Sequence, residues 1–179
     1  VPAASTAKPV AYNKEKMQER DITVGADGFK LPGTLTLPVG KKKAPVVILV
    51  HGSGPQDRDE TVGPNKPFRD LAWGLAERGI ATVRYDKRTK VYGAAFIPEG
   101  QNANYDTESV DDAVAIIAWV KGLPEVDADI VYVLGHSLGA TLAPRIAERA
   151  DGVTGIILVA ALARPFEDAI VIFSDRLFR

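Results

Sequence analysis

Two hydrophobic patterns alternate along the chain. Continuous apolar, β-branched runs typical of buried parallel strands occupy residues 44–52, 80–86, 129–135 and 154–161. The segments between them, residues 66–79, 106–124 and 138–152, repeat apolar residues at helical spacing. Strands and helices that alternate in this way predict an α/β fold, a mostly parallel sheet with helices on both faces.

The N-terminal part has a different pattern. Residues 21–38 hold two short β-type runs around Asp27-Gly28, a dipeptide that favours hairpin turns, so we expect an antiparallel hairpin ahead of the parallel strands. Residues 1–20 begin with the small and polar VPAASTAKP and predict a flexible leader, left by processing or by a cloning boundary. Pro144 lies inside the third helical segment and predicts either a kink or a late helix start there.

Composition narrows the class of function. The formal net charge of −1 gives no electrostatic footprint for nucleic acid or an anionic membrane. The chain has no cysteine, which excludes disulfides, thiolate metal sites and cysteine nucleophiles without settling the compartment, cytoplasmic or exported. No apolar run approaches the ~20 residues that a membrane-spanning helix needs.

The stretch LGHSLGA places Ser137 between Gly135 and Gly139, after a predicted strand and before a predicted helix. This is the setting of a G-x-S-x-G nucleophile elbow, whose tight turn requires small neighbours and exposes the serine oxygen. The amide of Leu138 would then point at a developing oxyanion, aided by the positive end of the helix. The alternative is a glycine-flanked serine that merely caps the helix.

A second glycine-rich stretch, HGSGPQDRD, follows the strand at residues 44–52. Loops of this kind can supply the other oxyanion donor, and the N–H of Ser53 is the first candidate. An ordinary turn between a strand and a helix would use glycines too. The charged residues 84–88 (RYDKR) are interpreted as a salt-bridged loop near the site.

Taken together, these motifs resemble the α/β-hydrolase superfamily, in the branch of bacterial carboxylesterases and serine aminopeptidase-like proteins. The resemblance covers residues 21–165 and is carried by LPGTLTLP, HGSGPQDRDE, NKPFRDLAWGLAERGIATVRYDKRT and GHSLGATLAPRIA. It implies a nucleophile at Ser137, oxyanion amides at Ser53 and Leu138, and hydrolysis of a small-molecule ester through an acyl-enzyme. It implies no metal and no organic cofactor, and peptidases and thioesterases belong to the same superfamily.

The catalytic base is the difficulty. The superfamily orders its triad as serine, acid, histidine, yet His51 and His136 both precede Ser137 and are interpreted as structural imidazoles bonded to backbone. Three interpretations stay open: a truncated esterase, a hydrolase-like binding module without turnover, and two chains that share one triad. The acidic residues after Ser137 cannot replace a base; they are Glu148, Asp151, Glu167, Asp168 and Asp175.

The C-terminal end carries one further expectation. Residues 166–179 are either the start of a cap over the site, as the resemblance implies, or a non-native tail. If no further strand follows, the apolar strand at Ile156–Val159 leaves one sheet edge open. We therefore expect a homodimer, or aggregation, through that edge.

Overall fold

A computed structural model describes residues 11–97, 99, 102 and 104–162 of the chain. Six strands form one sheet in the order β1-β2-β4-β3-β5-β6. The strands are β1 (Met17–Val24), β2 (Leu31–Pro38), β3 (Ala44–Val50), β4 (Ala81–Tyr85), β5 (Val126–His136) and β6 (Gly155–Val159). β1 and β2 form the predicted antiparallel hairpin, β2 pairs antiparallel with β4, and β4, β3, β5 and β6 run parallel.

In the described part of the chain, four α-helices connect these strands. They are α1 (Pro67–Ala76), α2 (Arg88–Tyr92), α3 (Asp111–Lys121) and α4 (Leu138–Arg149). A π-helical turn, Asp106–Val110, leads directly into α3. Within the described part of the chain, no helix combines the length and the apolar character that crossing a bilayer requires.

The sheet carries apolar packing on both faces, as predicted. On one face, β3 contributes Val46, Ile48 and Val50 to a cluster that includes Ile116 of α3 and Ile146 of α4. On the other face, the intervening residues Val47 and Leu49 pack with Phe68 of α1. Alternate residues of β3 therefore serve opposite layers, and β3 is buried almost throughout.

The predicted leader extends too far into the fold. Residues 17–20 belong to β1, where Met17 is paired with Pro38, and the ring of Tyr12 lies edge-on to Trp73 with centroids 5.6 Å apart. Alternation of Ile22 and Val24 with polar residues marks this strand only at its end, because β1 is an exposed edge with charged side chains. The leader over residues 1–10 and the segment at 166–179 lie outside the described residues.

Of the two alternatives predicted for Pro144, a kink or a late helix start, the late start is wrong and the kink stays a prediction. α4 begins at Leu138 and continues through Pro144, which is exposed to solvent. The first turn of α4 is closed ahead of the proline, because the Thr141 N–H donates to the carbonyl of Ser137 at 3.1 Å. The strand-to-helix turn at Ser137 thus fixes where the helix begins, whatever the proline costs further on.

β6 lies at the other edge of the sheet. It pairs with β5 from Tyr132↔Gly155 to His136↔Val159, and no described strand pairs with its outer side. The apolar side chains of Ile156–Val159 are exposed. Association of two chains through this edge stays a prediction.

Candidate active site

Ser137 is the single residue between β5 and α4. Its backbone has φ +52° and ψ −112°, a region that residues with a side chain rarely adopt. The Ser137 N–H donates to the carbonyl of Val159 at 2.9 Å, so the neighbouring strand β6 supports the turn from outside. The serine thus has the strained strand-to-helix geometry that the G-x-S-x-G pattern predicts.

Packing around Gly135 and Gly139 explains why both must be glycine. A methyl group on Gly135 would lie 2.1 Å from the carbonyl oxygen of Gly139 and 2.5 Å from the nitrogen of Ala140. One on Gly139 would lie 2.3 Å from the oxygen of Val50. These are backbone atoms that no side-chain rotation can move. The start of α4 is therefore packed directly against the ends of β5 and β3.

The glycine-rich loop after β3 reaches the same place. A methyl group on Gly52 would lie 3.4 Å from Cβ of Ser137 and 3.4 Å from Nδ1 of His136. Gly52 is therefore in contact range of the turn at Ser137. The structure brings together the two stretches that the sequence analysis selected, as expected for the ends of adjacent parallel strands.

The two candidate oxyanion amides differ in their surroundings. Ser53 is exposed, and its N–H has no hydrogen-bond acceptor among the described residues. Leu138 is the buried first residue of α4, where helix geometry leaves the N–H without an intrahelical acceptor. The N–H of Gly52, by contrast, donates to Glu60 Oε1 at 2.6 Å. The N–H of Gly52 is therefore already hydrogen-bonded, whereas the neighbouring N–H of Ser53 is free to bind an acceptor.

Glu60 is a residue that the sequence analysis did not select. It is 3% exposed, and Oε1 accepts the Gly52 N–H and lies 3.0 Å from Nδ1 of His136. One carboxylate therefore joins the loop after β3 to the residue before Ser137. Its backbone has φ +51°, an uncommon conformation for glutamate. In the sequence, Glu60 is only one of several charged residues after a glycine-rich stretch, and this pattern is too general to identify it.

The segment RYDKR forms salt bridges near the site, as predicted, but it is not a loop throughout: Arg84 and Tyr85 belong to β4, and Arg88 begins α2. Asp86 binds Arg58 of the loop through a side-chain contact of 3.1 Å, and Arg84 pairs with Asp59. Lys87 is almost fully buried, and its Nζ lies 2.8 Å from Glu108 Oε1 and 3.1 Å from the carbonyl oxygen of Gly52. Each contact holds the loop after β3 or the segment after β4.

His51 is buried and structural, as expected. Burial, with a smaller contribution from the charge of Lys87, lowers the pKa of His51 to about 3, while a hydrogen bond to the backbone of Tyr85 opposes the shift. The ring packs against Phe68 and Tyr85, with centroid distances of 5.5 Å and 4.9 Å. Its Nε2 has no partner among the described residues. The imidazole is therefore neutral at ordinary pH.

His136 differs from its predicted role in one respect. Its ring nitrogen Nδ1 is paired with the carboxylate of Glu60, whereas a backbone partner was expected. The side chain is 41% exposed, so only the paired side is enclosed. Of the later acidic residues, Glu148 belongs to α4 and Asp151 follows its end, while Glu167, Asp168 and Asp175 lie outside the described part of the chain.

No cluster of three or more potential metal-ligating side chains occurs in the ranges that the structure describes. The site consists instead of an exposed backbone amide, a helix N-terminus and a strained serine. Such a set can stabilise negative charge next to the serine.

Comparison with known proteins gives consistent matches. Residues 47–178 match the model of the alpha/beta hydrolase family. The chain is 44% identical over 160 residues to esterase EstD of Thermotoga maritima, covering 89% of this chain and 36% of that protein. The chain therefore spans about a third of the length of that curated relative.

Solved structures share the fold at lower identity. The match to an acetyl xylan esterase from Paenibacillus sp. R4 covers 92% of this chain and 55% of that esterase, with TM-score 0.68 and 22% identity. A brefeldin A esterase, described as a bacterial homologue of human hormone-sensitive lipase, matches 93% and 47%, with TM-score 0.64 and 22% identity. The family match, the sheet order and the turn at Ser137 agree, and the chain belongs to the alpha/beta hydrolase family.

Proposed function

We propose that this chain carries the nucleophile and the oxyanion donors of an enzyme that hydrolyses carboxylic esters through an acyl-enzyme on Ser137. The observation that carries the proposal is the backbone of Ser137, which has φ +52° at a turn with backbone atoms packed on both flanking glycines. Strain of this kind persists where the surrounding structure imposes it, and it is concentrated at functional sites. The name of the relative, esterase EstD, supports the choice of ester over other acyl substrates.

The reaction proceeds in two halves. Oγ of Ser137 attacks the ester carbonyl carbon, its proton passes to a base, and the carbonyl oxygen takes the negative charge. Collapse of this intermediate breaks the bond to the alcohol, which leaves with a proton, and the acyl group remains on Oγ. Water then attacks the acyl-enzyme in the same way and releases the carboxylic acid and the free serine.

The N–H groups of Ser53 and Leu138 are the proposed donors to the oxyanion. Ser53 has an open amide, and Leu138 follows the nucleophile at the positive end of α4. Donors of this type are fixed before the reaction, and each one contributes ~10²–10³ in kcat.

Neither histidine of the chain is assigned the base. His51 is buried, and its ring is hydrogen-bonded to the backbone of Tyr85. Nδ1 of His136 is hydrogen-bonded to the carboxylate of Glu60. The order implied by the family places acid and base after the nucleophile. The alternative function is a binding module that holds an ester or peptide without turnover.

The test is Ser137→Ala in the complete protein, assayed with p-nitrophenyl acetate beside an acyl thioester and an amino-acid p-nitroanilide. Loss of a nucleophilic serine lowers kcat by several orders of magnitude, about 10⁴ or more. Ser53→Ala is the matched control: the proposed donor is backbone, so kcat should stay within about threefold of the unaltered protein.

Three outcomes would change the proposal. An ester rate that survives Ser137→Ala contradicts the nucleophile. A faster Ser137-dependent rate on the thioester or the anilide changes the substrate class. A complete protein that binds p-nitrophenyl esters without Ser137-dependent turnover supports the binding module.

A further inference from the structure

Lys87 is a buried cation that contacts the backbone of the loop after β3. Its side chain is 2% exposed, and Nζ donates to the carbonyl oxygen of Gly52 at 3.1 Å. The same Nζ lies 2.8 Å from Glu108 Oε1, which neutralises the charge. A buried ammonium is costly unless it is paired and hydrogen-bonded, and here both requirements are met.

The carbonyl of Gly52 and the N–H of Ser53 belong to one peptide group. The peptide group is planar and trans here, so its C=O and N–H point in opposite directions. A donor that holds the Gly52 oxygen therefore also fixes the direction of the Ser53 N–H. No other described side chain donates to this carbonyl oxygen.

We propose that Lys87 is a positioning residue of the active site, which aims and polarises the Ser53 N–H by binding the other end of the same peptide group. This inference rests on the proposed function, because it takes the Ser53 amide as an oxyanion donor. Lys87 itself does not touch the substrate. It acts in the transition state, where the amide donates a hydrogen bond to the oxygen that carries the developing negative charge.

Three further contacts keep this peptide group from turning. The preceding amide, Gly52 N–H, is held by Glu60 Oε1 at 2.6 Å. On the other side, Gln56 Nε2 donates to the carbonyl of Ser53 at 3.0 Å, and the Lys87 N–H donates to the carbonyl of Gln56 at 3.0 Å. Both the side chain and the backbone of Lys87 thus hold the same loop.

The charge of Lys87 adds to its geometric effect. A cation bound to a carbonyl oxygen polarises the amide, and hydrogen bonds in such a chain strengthen one another where the dielectric constant is low. The N–H at the far end becomes a stronger donor. This gain increases with the negative charge on the acceptor, so it is larger for the oxyanion than for the ground-state carbonyl.

Lys87→Met alone would leave the largely enclosed carboxylate of Glu108 without its cation, which is destabilising whatever the function. The informative variant is Lys87→Met with Glu108→Gln, compared with the unaltered protein, in which the pair is intact. Glu108→Gln alone, which keeps the lysine but removes its counter-ion, shows what loss of the carboxylate contributes. Removing both charges of a buried pair is often tolerated by the fold. The variants are made in the complete protein, and thermal unfolding is measured first.

Arg88 and Asp112 provide a matched control. They form a second pair with an equally buried cation, and Arg88 Nη2 lies 2.7 Å from Asp112 Oδ1; Arg88 and Asp112 are 2% and 0% exposed, where Lys87 and Glu108 are 2% and 15% exposed. Neither side chain binds the Gly52 peptide. Arg88→Met with Asp112→Asn, compared with the unaltered protein and with Asp112→Asn alone, thus reports the effect of losing a buried cation without touching the oxyanion amide.

The expected result is a fall in kcat of about 10- to 100-fold for removal of Lys87, with KM within about threefold, since the interaction is made in the transition state. Binding of an alkyl boronic acid, whose tetrahedral adduct places an oxygen at the oxyanion position, should weaken by a similar factor. The Arg88 comparison should change kcat by less than about threefold. A purely structural role for Lys87 would move both comparisons together.

Equal kcat losses in the two comparisons, or a loss carried by KM, overturn the role of Lys87. Ser137→Ala separates this failure from failure of the proposed function. If that variant is inactive while the Lys87 comparison shows no selective loss, only the positioning inference is wrong. If Ser137→Ala remains active, the proposed function itself fails.

Discussion

The two junctions that meet at Ser137 place their residues by different means. Between β5 and α4 there is one residue, held by backbone packing on Gly135 and Gly139. Between β3 and α1, residues 51–66 form a loop held by charged side chains, among them Glu60 and Lys87. The first junction depends on the absence of side chains, and the second depends on their presence.

This difference determines how each junction responds to change. Backbone packing cannot relax by a side-chain rotation, so the strand-to-helix turn should respond sharply to any added atom and weakly to pH or salt. The loop should respond to the loss of a charge or a hydrogen bond, because its amides would lose the partners that orient them. The nucleophile is thus fixed by sterics, and the proposed oxyanion donor by electrostatics.

The largest effect is expected at the turn. Gly139→Ala adds a methyl group 2.3 Å from the oxygen of Val50 and 2.6 Å from that of His51, so α4 must move away from β3. We expect about 4 kcal/mol or more of lost stability, at the upper end for single substitutions. Chemical denaturation of the complete protein measures it.

Gly74→Ala is the matched control for that prediction. In α1, the nearest side-chain atom to an added methyl group would be 3.7 Å away, in ordinary contact. Replacing glycine by alanine inside a helix should stabilise by about 0.5–1 kcal/mol. If the two variants were equally stable, the packing argument for the turn would not stand.

The next effect is expected in the loop. Glu60→Ala leaves the buried Gly52 N–H without its acceptor and frees the His136 ring, at a cost of about 3 kcal/mol. Glu60→Gln keeps an oxygen at that position and should recover most of this loss. Residue 60 has to adopt the same positive φ in either variant, so this strain cancels and their difference reports the hydrogen bonds. Equal unfolding free energies for the two would argue against a role for the hydrogen bonds that Oε1 of residue 60 accepts.

Local patterns in the sequence predicted the fold and the turn. The apolar runs of β3 and β5 and the glycines around Ser137 impose their structure on neighbouring residues, so the motif and the strand-turn-helix context agree. The start of α4 was harder to predict, because Pro144 gave a propensity signal that the packing of Gly139 on β3 overrides.

The contacts of the loop could not be predicted in the same way. Lys87 contacts the carbonyl of Gly52 across 35 positions of sequence, and Glu60, whose backbone has a positive φ, is buried. Nothing in the residue types alone states which acid or base reaches which amide. The segment RYDKR was predicted to form salt bridges, but their partners depend on how β3 and β4 lie side by side.

The smallest effect is expected from acid, which should lower the stability of the protein through the loop after β3. His51, the first residue of the loop, must be neutral in the folded protein, where burial and Lys87 lower its pKa to about 3. In the unfolded chain the pKa is about 6.5. Between these values the unfolded state binds more protons than the folded state, so stability is full above pH 6.5 and falls as the pH decreases toward 3. Between pH 7.5 and pH 5 this amounts to about 2 kcal/mol.

His51→Leu removes the titrating group and should flatten the pH dependence of stability by that amount, while other groups titrate alike in both proteins. Urea unfolding at the two pH values measures the difference, and parallel pH profiles for the two proteins would show that His51 is not what makes the loop sensitive to acid.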